Sequence, residues 1–290
     1  ILFIFIYIMC GVSVIISKND NNIIKYILQS LSIIQNRGYD SVGIAYLLSD
    51  YSYNIIKYAS ENTYDSLERL KEHYKMNEIK SNIAIAHTRW ATHGPKTKIN
   101  SHPHISYYGN IILVHNGIIN NYIELKKFLI SHNFNFYSET DSEVIANLIE
   151  YYLLNEENTK NNINKCLDKI NSLLEGTWAL AIIYTKEPEN IYVMRHGSPL
   201  VLGYNDSLII CSSEINGFAG LIINYIVIDN NDIIKINKKG YYNIISHKLK
   251  NYKIQNLDKK DVTVTPYPYL HWTIKEIMEQ PQSILSAINN

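Results

Sequence analysis

Cys10 lies between Met9 and Gly11, so it becomes the first residue of the chain if everything through that methionine is removed. A cysteine at a free terminus carries two reactive groups. Its thiol can attack a carbonyl carbon. Its α-amine, with a pKa of about 8 against about 8.5 for a thiol, can accept the thiol proton near neutral pH. Covalent catalysis needs a nucleophile beside a base, and here one residue offers both. Three distant segments hold residue types that could serve the same chemistry. Arg89 ends a short apolar run, where a guanidinium can grip a carboxylate through two parallel hydrogen bonds or form an ordinary ion pair. Asn116-Gly117 can set a side-chain amide beside a backbone N–H as donors to a developing oxyanion, or can be a tight turn, since Asn-Gly favours positive φ. Asp141 stands where a helix should open, facing either the helix dipole or an ammonium group.

A thiol with its own amine, an oxyanion donor pair, an arginine for a carboxylate and an aspartate for an ammonium describe a pocket for a free α-amino acid. The side-chain carbonyl of that amino acid would meet the thiol. A glutamine fits, although these residues alone do not choose glutamine over asparagine. His87, His93, His102 and His104 crowd into one stretch, but no H-E-x-x-H or C-x-x-C companion accompanies them, and no metal is expected. Trp90, in a polar loop, is either core or a lid over the pocket.

The elements that must position these residues follow from periodicity. Apolar residues at helical spacing predict helices over 22–36, 63–74, 122–132, 141–154 and 163–174, the fourth introduced by an N-cap context at Ser138-Glu139-Thr140. Strands are expected over 42–48, 53–58, 82–87, 110–115, 177–184, 191–195, 200–204, 207–212, 225–228, 233–236 and 241–246. Residues 91–107, rich in Gly, Pro, His and Asn, and the Asn-rich 155–164 read as loops. Many strands with few helices and no repeated βαβ unit argue for an α+β or layered α/β domain over a doubly wound sheet. No G-x-G-x-x-G or G-x-x-x-x-G-K-[ST] run occurs, so no dinucleotide or P-loop cofactor is called for.

Composition removes other classes. With 27 basic and 27 acidic residues there is no net field to draw nucleic acid or an anionic membrane. Three scattered cysteines (Cys10, Cys166 and Cys211) form no disulfide framework, which fits a reducing, cytoplasmic setting. The apolar run 1–8 is too short to span a bilayer and lacks the charged start of a secretory signal. Residues 1–9 are therefore read as an extension outside the mature protein, with Met9 as the start or the segment as a short propeptide. Residues 10–247 would form the main domain and the charged stretch 248–269 a linker. A further segment, 270–290, would open another domain.

At these residues the sequence resembles the class II glutamine amidotransferases, and within them the glutaminase part of the glutamine–fructose-6-phosphate aminotransferases. The runs that carry the resemblance are Met9-Cys10-Gly11, Arg37-Gly38-Tyr39-Asp40-Ser41, His87 through Gly94, His102-Pro103-His104, His115-Asn116-Gly117-Ile118-Ile119, Ser138-Glu139-Thr140-Asp141 and Gly197-Ser198-Pro199-Leu200. Lys275 through Pro281 resembles the opening of that family's sugar isomerase part. The resemblance implies an N-terminal nucleophile hydrolase fold, a four-layer α/β/β/α sandwich with Cys10 on a central strand. It implies Cys10 as nucleophile, its amine as base, and Asn116 and Gly117 as the oxyanion donors. Arg89 and Asp141 would bind L-glutamine, helped by Thr92 and His93, with Trp90 closing the pocket and gating ammonia. Arg37 and His102 would support the site. No cofactor is implied. Fructose 6-phosphate would be met only through the isomerase part, and the full-length form would be a homo-oligomer. Without that part the chain should hydrolyse glutamine but make no amino sugar. If residues 1–8 stay in place, the acylated amine cannot act and a silent glutamine-binding module results. An amidophosphoribosyltransferase-like amidotransferase is the alternative within the class.

Overall fold

The computed structural model of the protein describes residues 10–19, 22–61, 65–77, 79–91, 93–244, 252–257, 267–270, 274–275 and 277–281. The extension 1–9, Thr92, and most of 245–290 lie outside the described residues. Nineteen elements follow in chain order: β1 (Gly11–Ser17), α1 (Ile24–Ile34), β2 (Ser41–Leu47), β3 (Tyr53–Ala59), α2 (Asp65–Met76), β4 (Ile83–Arg89), β5 (His104–Ile105), β6 (Ile111–Ile119), α3 (Tyr122–Ser131), α4 (Asp141–Asn155), α5 (Ile163–Leu173), β7 (Gly176–Tyr184), β8 (Ile191–His196), β9 (Val201–Tyr204), β10 (Leu208–Ser212), β11 (Asn224–Val227), β12 (Ile233–Asn237), β13 (Gly240–Asn243) and β14 (Gln255–Asn256).

The strands form two sheets. One has eight strands in the order β14-β11-β9-β10-β1-β4-β2-β3, the other six in the order β13-β12-β8-β7-β6-β5. The pairings between strands are antiparallel throughout. Because side chains alternate across a strand, each sheet has two faces, and both are apolar here. Val12, Val14, Ile83 and Ile85 of the larger sheet meet Ile112, Val114, Ala179 and Ala181 of the smaller one. The opposite faces carry Ile15, Ala84 and Ala86 against Ile27, Leu31 and Leu70 of α1 and α2. On the far side Ile111, Leu113 and Leu180 pack against Val144, Leu148 and Leu167 of α4 and α5. The result is helices, sheet, sheet, helices: the four-layer α/β/β/α sandwich. Burying each large aliphatic side chain stabilises it by about 1.5–3 kcal/mol.

The same alternation places the chemistry. Cys10 shares parity with Val12 and Val14, His87 and Arg89 with Ile83 and Ile85, and Asn116 with Ile112 and Val114. All four therefore belong to the faces that the two sheets turn toward each other, while His115, of opposite parity, faces α4. β1, buried along its whole length between β10 and β4, holds Cys10 at the N-terminal end of a central strand.

Two expectations need correction. Asn116-Gly117 is not a turn at a strand end. β6 continues through it to Ile119, paired residue by residue with β7 from Ile111↔Tyr184 to Ile119↔Gly176. Long-range pairing overrides the local turn preference, and Gly117 meets it at φ 139, a conformation open to glycine. The stretch 91–107 is also more than a surface loop: Asn100, Ser101, His102 and His104 are buried, and β5 pairs with β6. The close approach has a local cause. A Cβ on Gly43 in β2 would lie 2.0 Å from the carbonyl oxygen of His102, so only glycine lets this segment lie against the sheet. Within 248–269, residues 255–256 pair with β11 at the sheet edge and Leu257 is buried beside α1.

Candidate active site

Cys10, Arg89, Trp90, His93, Gly117 and Asp141 line one small cavity of about 20 Å³, with His102, His115, Thr140 and Ser142 in its wall. Five separate segments supply these side chains, and the site forms only when both sheets and α4 are in place.

Cys10 Sγ accepts a hydrogen bond from Trp90 N–H (3.1 Å) and lies 3.3 Å from Trp90 O. Burial pushes its pKa up to about 11, opposed by the Trp90 backbone contact and by the Arg89 charge. Cys166 and Cys211 are free thiols buried in the core. The Cys10 carbonyl is held from two sides, accepting from Arg37 Nε at 3.2 Å and from Asn116 Nδ2. Arg37 is anchored by an ion pair with Glu214 at 3.0 Å. This fixes the end of β1, and the Arg37 charge also opposes, weakly, the upward shift of the thiol.

Asn116 is fully buried. Its Nδ2 also donates to Ser213 Oγ at 2.8 Å, and its Oδ1 accepts from His87 Nε2 at 2.9 Å. A Cβ on Gly117 would lie 2.0 Å from the Thr177 carbonyl oxygen, so that strand position admits glycine alone. Arg89 is buried at the end of β4, and its guanidinium donates to the carbonyls of His93, Gly94 and Pro95, the latter two at 3.2 and 3.3 Å. It thus shapes the loop beyond Trp90 as well as lining the cavity. Among the described residues Nε makes no hydrogen bond and Nη1 makes one. Trp90 is partly exposed and meets Tyr39 edge-on at 6.5 Å. His93 packs edge-on against Tyr122 at 5.1 Å.

Asp141 opens α4, whose N-cap Thr140 accepts from Glu143 N–H as the Ser-Glu-Thr context predicts. Asp141 Oδ2 accepts from Ile119 N–H at 2.9 Å, and Oδ1 lies 3.3 Å from Ser142 Oγ. The carboxylate is 4% exposed and turned into the cavity wall. Behind it, Ser142 Oγ links His102 Nε2 (2.9 Å) and His115 Nδ1 (3.0 Å). The His102 ring lies 4.0 Å from that of His87 and 4.6 Å from that of His104. Burial keeps these imidazoles neutral: His87 is pushed down to about 3, His102 and His104 well below the usual range, and His115 less far because Asp141 opposes the shift.

The structure thus brings together Cys10, Asn116, Gly117, Arg89, Trp90, His93, His102 and Asp141, with Arg37 beside the Cys10 backbone; Thr92 lies outside the described residues. The sequence names His87 only within the histidine cluster weighed for a metal and within a motif, and it gives Ser142, Ser213 and Glu214 no role. A signal existed for His87 alone, since it shares the strand face of Arg89. Ser213 and Glu214 follow a strand some 200 residues from Cys10 and announce themselves only once β10 pairs with β1.

Residues 87–220 match the family model of the glutamine amidotransferase domain, and the chain carries such a domain. Over 97% of its length it is similar to the glutamine–fructose-6-phosphate aminotransferases. It is 38% identical to the probable enzyme of that name from Acanthamoeba polyphaga mimivirus, 34% to that of Thermococcus kodakarensis and 36% to that of Caldanaerobacter subterraneus. The chain spans about 45% of the length of these relatives. Among solved structures, the glutamine phosphoribosylpyrophosphate amidotransferase of B. subtilis superposes with a TM-score of 0.67 at 21% identity, covering 81% of this chain and 48% of that one. A class-II glutamine aminotransferase domain protein from Silicibacter pomeroyi gives 0.51 at 14% identity, covering 98% of its own chain. At those identities the likeness speaks to the fold, the α/β/β/α sandwich described above. Among the described residues no helix is long and apolar enough to cross a membrane, and no cluster of three or more His, Cys, Asp or Glu is arranged to hold a metal ion.

Proposed function

We propose that the domain hydrolyses L-glutamine to glutamate and ammonia with Cys10 as the nucleophile. The observation that carries the reading is the single cavity where the Cys10 thiol, Gly117, Arg89 and Asp141 meet. Glutamine enters with its α-carboxylate toward Arg89 and its α-ammonium toward Asp141, with His93 beside it. Trp90 covers the mouth and limits the escape of ammonia. The side-chain amide carbon then faces Sγ.

A sulfur–carbon bond forms as the thiol proton passes to the Cys10 α-amine, and the carbonyl π electrons move onto oxygen. Asn116 Nδ2 and Gly117 N–H hold that oxyanion, a type of donor pair worth several kcal/mol of transition-state stabilisation. The oxyanion collapses, the carbon–nitrogen bond breaks, and the amine returns its proton to the leaving nitrogen, which departs as ammonia. Water then attacks the thioester through a second oxyanion, releases glutamate and restores the thiol. The likeness to the sugar aminotransferases at 34–38% identity supports a longer protein in which this ammonia is passed to a fructose 6-phosphate site, in amino-sugar synthesis.

The test is ammonia and glutamate release from two versions of the chain, one beginning at Ile1 and one at Cys10. The second should hydrolyse glutamine and the first should not. A Cys10-terminated chain that releases no ammonia, or a Cys10→Ala variant that still does, overturns the reading.

A further inference from the structure

We infer that His87 is a positioning residue for the oxyanion donor, its Nε2–H locking the Asn116 amide so that Nδ2, not Oδ1, faces the reacting carbonyl. The inference rests on the oxyanion role proposed for Asn116. His87 is 1% exposed, and its Nε2 lies 3.0 Å from the His115 carbonyl oxygen and 2.9 Å from Asn116 Oδ1. A carbonyl oxygen can only accept, so Nε2 carries the proton and the tautomer is set without reference to how the asparagine is turned. The Asn116 atom facing that N–H must then be an acceptor, which is Oδ1.

The far side of the amide shows why this matters. Nδ2 has two protons, one given to Ser213 Oγ and one to the Cys10 carbonyl. To hold an oxyanion, Nδ2 must turn one of them to the substrate. Giving up the Cys10 carbonyl removes one of the two contacts that tell N from O. Ser213 Oγ cannot replace it, because a hydroxyl both donates and accepts. His87 N–H is then the remaining group that discriminates. Without it the amide can turn over and aim Oδ1 at a developing negative charge, which replaces attraction with repulsion. His87 Nδ1 is buried with no partner, so a donor aimed at Asn116 is the hydrogen-bonding task its ring performs. Burial also keeps the ring neutral through the working pH range. The His102 ring, tilted 37° to it with centroids 4.0 Å apart, packs against it.

The experiment uses the chain beginning at Cys10 and compares His87→Gln with His87→Asn, each alone and combined with Asn116→Ala. Glutamine places an N–H donor at nearly the reach of Nε2, whereas asparagine falls short. His87→Asn should lower kcat at least about tenfold, a share of the about 10²–10³ that loss of a whole oxyanion donor costs, with KM for glutamine within about threefold. His87→Gln should recover most of that loss. In the Asn116→Ala background His87→Asn should cost less than about threefold more, since nothing is left to position. Equal impairment by both replacements that persists without Asn116 means a structural role and overturns the inference. So does full activity of both when Asn116→Ala is crippled. If Asn116→Ala itself turns over normally, the oxyanion reading fails instead. Should His87→Asn not fold, His87→Met, without a donor, takes its place with the same outcomes.

Discussion

Acidification should unfold this domain through its buried histidines, and the size of the effect can be worked from the site. His87, His102 and His104 are neutral in the fold because burial penalises the charged ring, which puts their folded pKa values far below the about 6.5 of an exposed histidine. The unfolded chain therefore binds protons that the folded chain refuses. For groups with a depressed folded pKa, the associated stability is complete above pH 6.5 and is lost as pH falls toward the folded value. At pH 5 the unfolded rings are almost fully protonated, so each of the three costs about 2 kcal/mol, or about 6 kcal/mol together. That is comparable with the about 5–15 kcal/mol net stability of a typical domain. His115 contributes less because Asp141 favours its charged form. Lys57, which donates to the Ser101 and Pro103 carbonyls, adds positive charge facing His104, and Glu143 lies near that lysine. The window from pH 7.5 to 5 lies above the range where carboxylates titrate in an unfolded chain, about 4, which isolates the histidines. Urea unfolding across that window should show at least two protons taken up per molecule, and His104→Gln should recover about 2 kcal/mol at pH 5 while keeping a partner for Thr140. Stability that falls by less than about 2 kcal/mol between those pH values would refute the claim that the cluster is buried neutral.

Two substitutions probe the cavity itself. Gly117→Ala should cost about 1–3 kcal/mol in stability, from φ 139 and a Cβ 2.0 Å from the Thr177 carbonyl oxygen, and should abolish turnover by shifting the N–H that faces the oxyanion; wild-type denaturant midpoint and kcat would show that the strand relaxes freely there. Arg89→Lys keeps the charge but loses the planar fork that spans three loop carbonyls, so KM for glutamine should rise at least about tenfold; an unchanged KM with a lowered melting temperature would make Arg89 purely an organiser of the loop.

Much of this arrangement is legible in the chain once its period is read. The apolar runs ending at His87 and His115 identify two of the strands, and parity along them tells which residues share a face, but both faces are apolar, so only the packing shows which one turns toward the other sheet. The helices before and after Asp141 are legible for the same reason. What escapes is non-local. Asn116-Gly117 has the local chemistry of a turn, and only pairing with β7 along nine residues carries the strand through it. Residues 100–104 look like loop because their composition is polar, yet the missing side chain of Gly43 lets them into the core. Ser213 and Glu214 acquire their roles from β10 lying beside β1, an adjacency that no window of sequence contains.

The surroundings of Sγ decide where the attacking thiol can send its proton. A thiol with a pKa of about 11 is almost entirely protonated at pH 7, and ionising it in advance of attack would cost about 5 kcal/mol. A nearby base is therefore required, and the hydrogen-bond partners of Sγ among the described residues are both backbone groups of Trp90. Three buried imidazoles are turned away: His87 toward Asn116, His102 and His115 toward Ser142. They are too weakly basic, where buried, to hold a proton at neutral pH. The nitrogen of Cys10 is tied to its own sulfur by three bonds and, once free, carries a pKa of about 8. Passing the proton to it from a thiol at about 11 is still uphill by about 4 kcal/mol, which only the forming sulfur–carbon bond can offset. Proton transfer and attack must then occur together, with glutamine already seated. A thiol held this way is inert to chance electrophiles until the substrate arrives, and a chain that keeps an acyl group on that nitrogen has no base for the step.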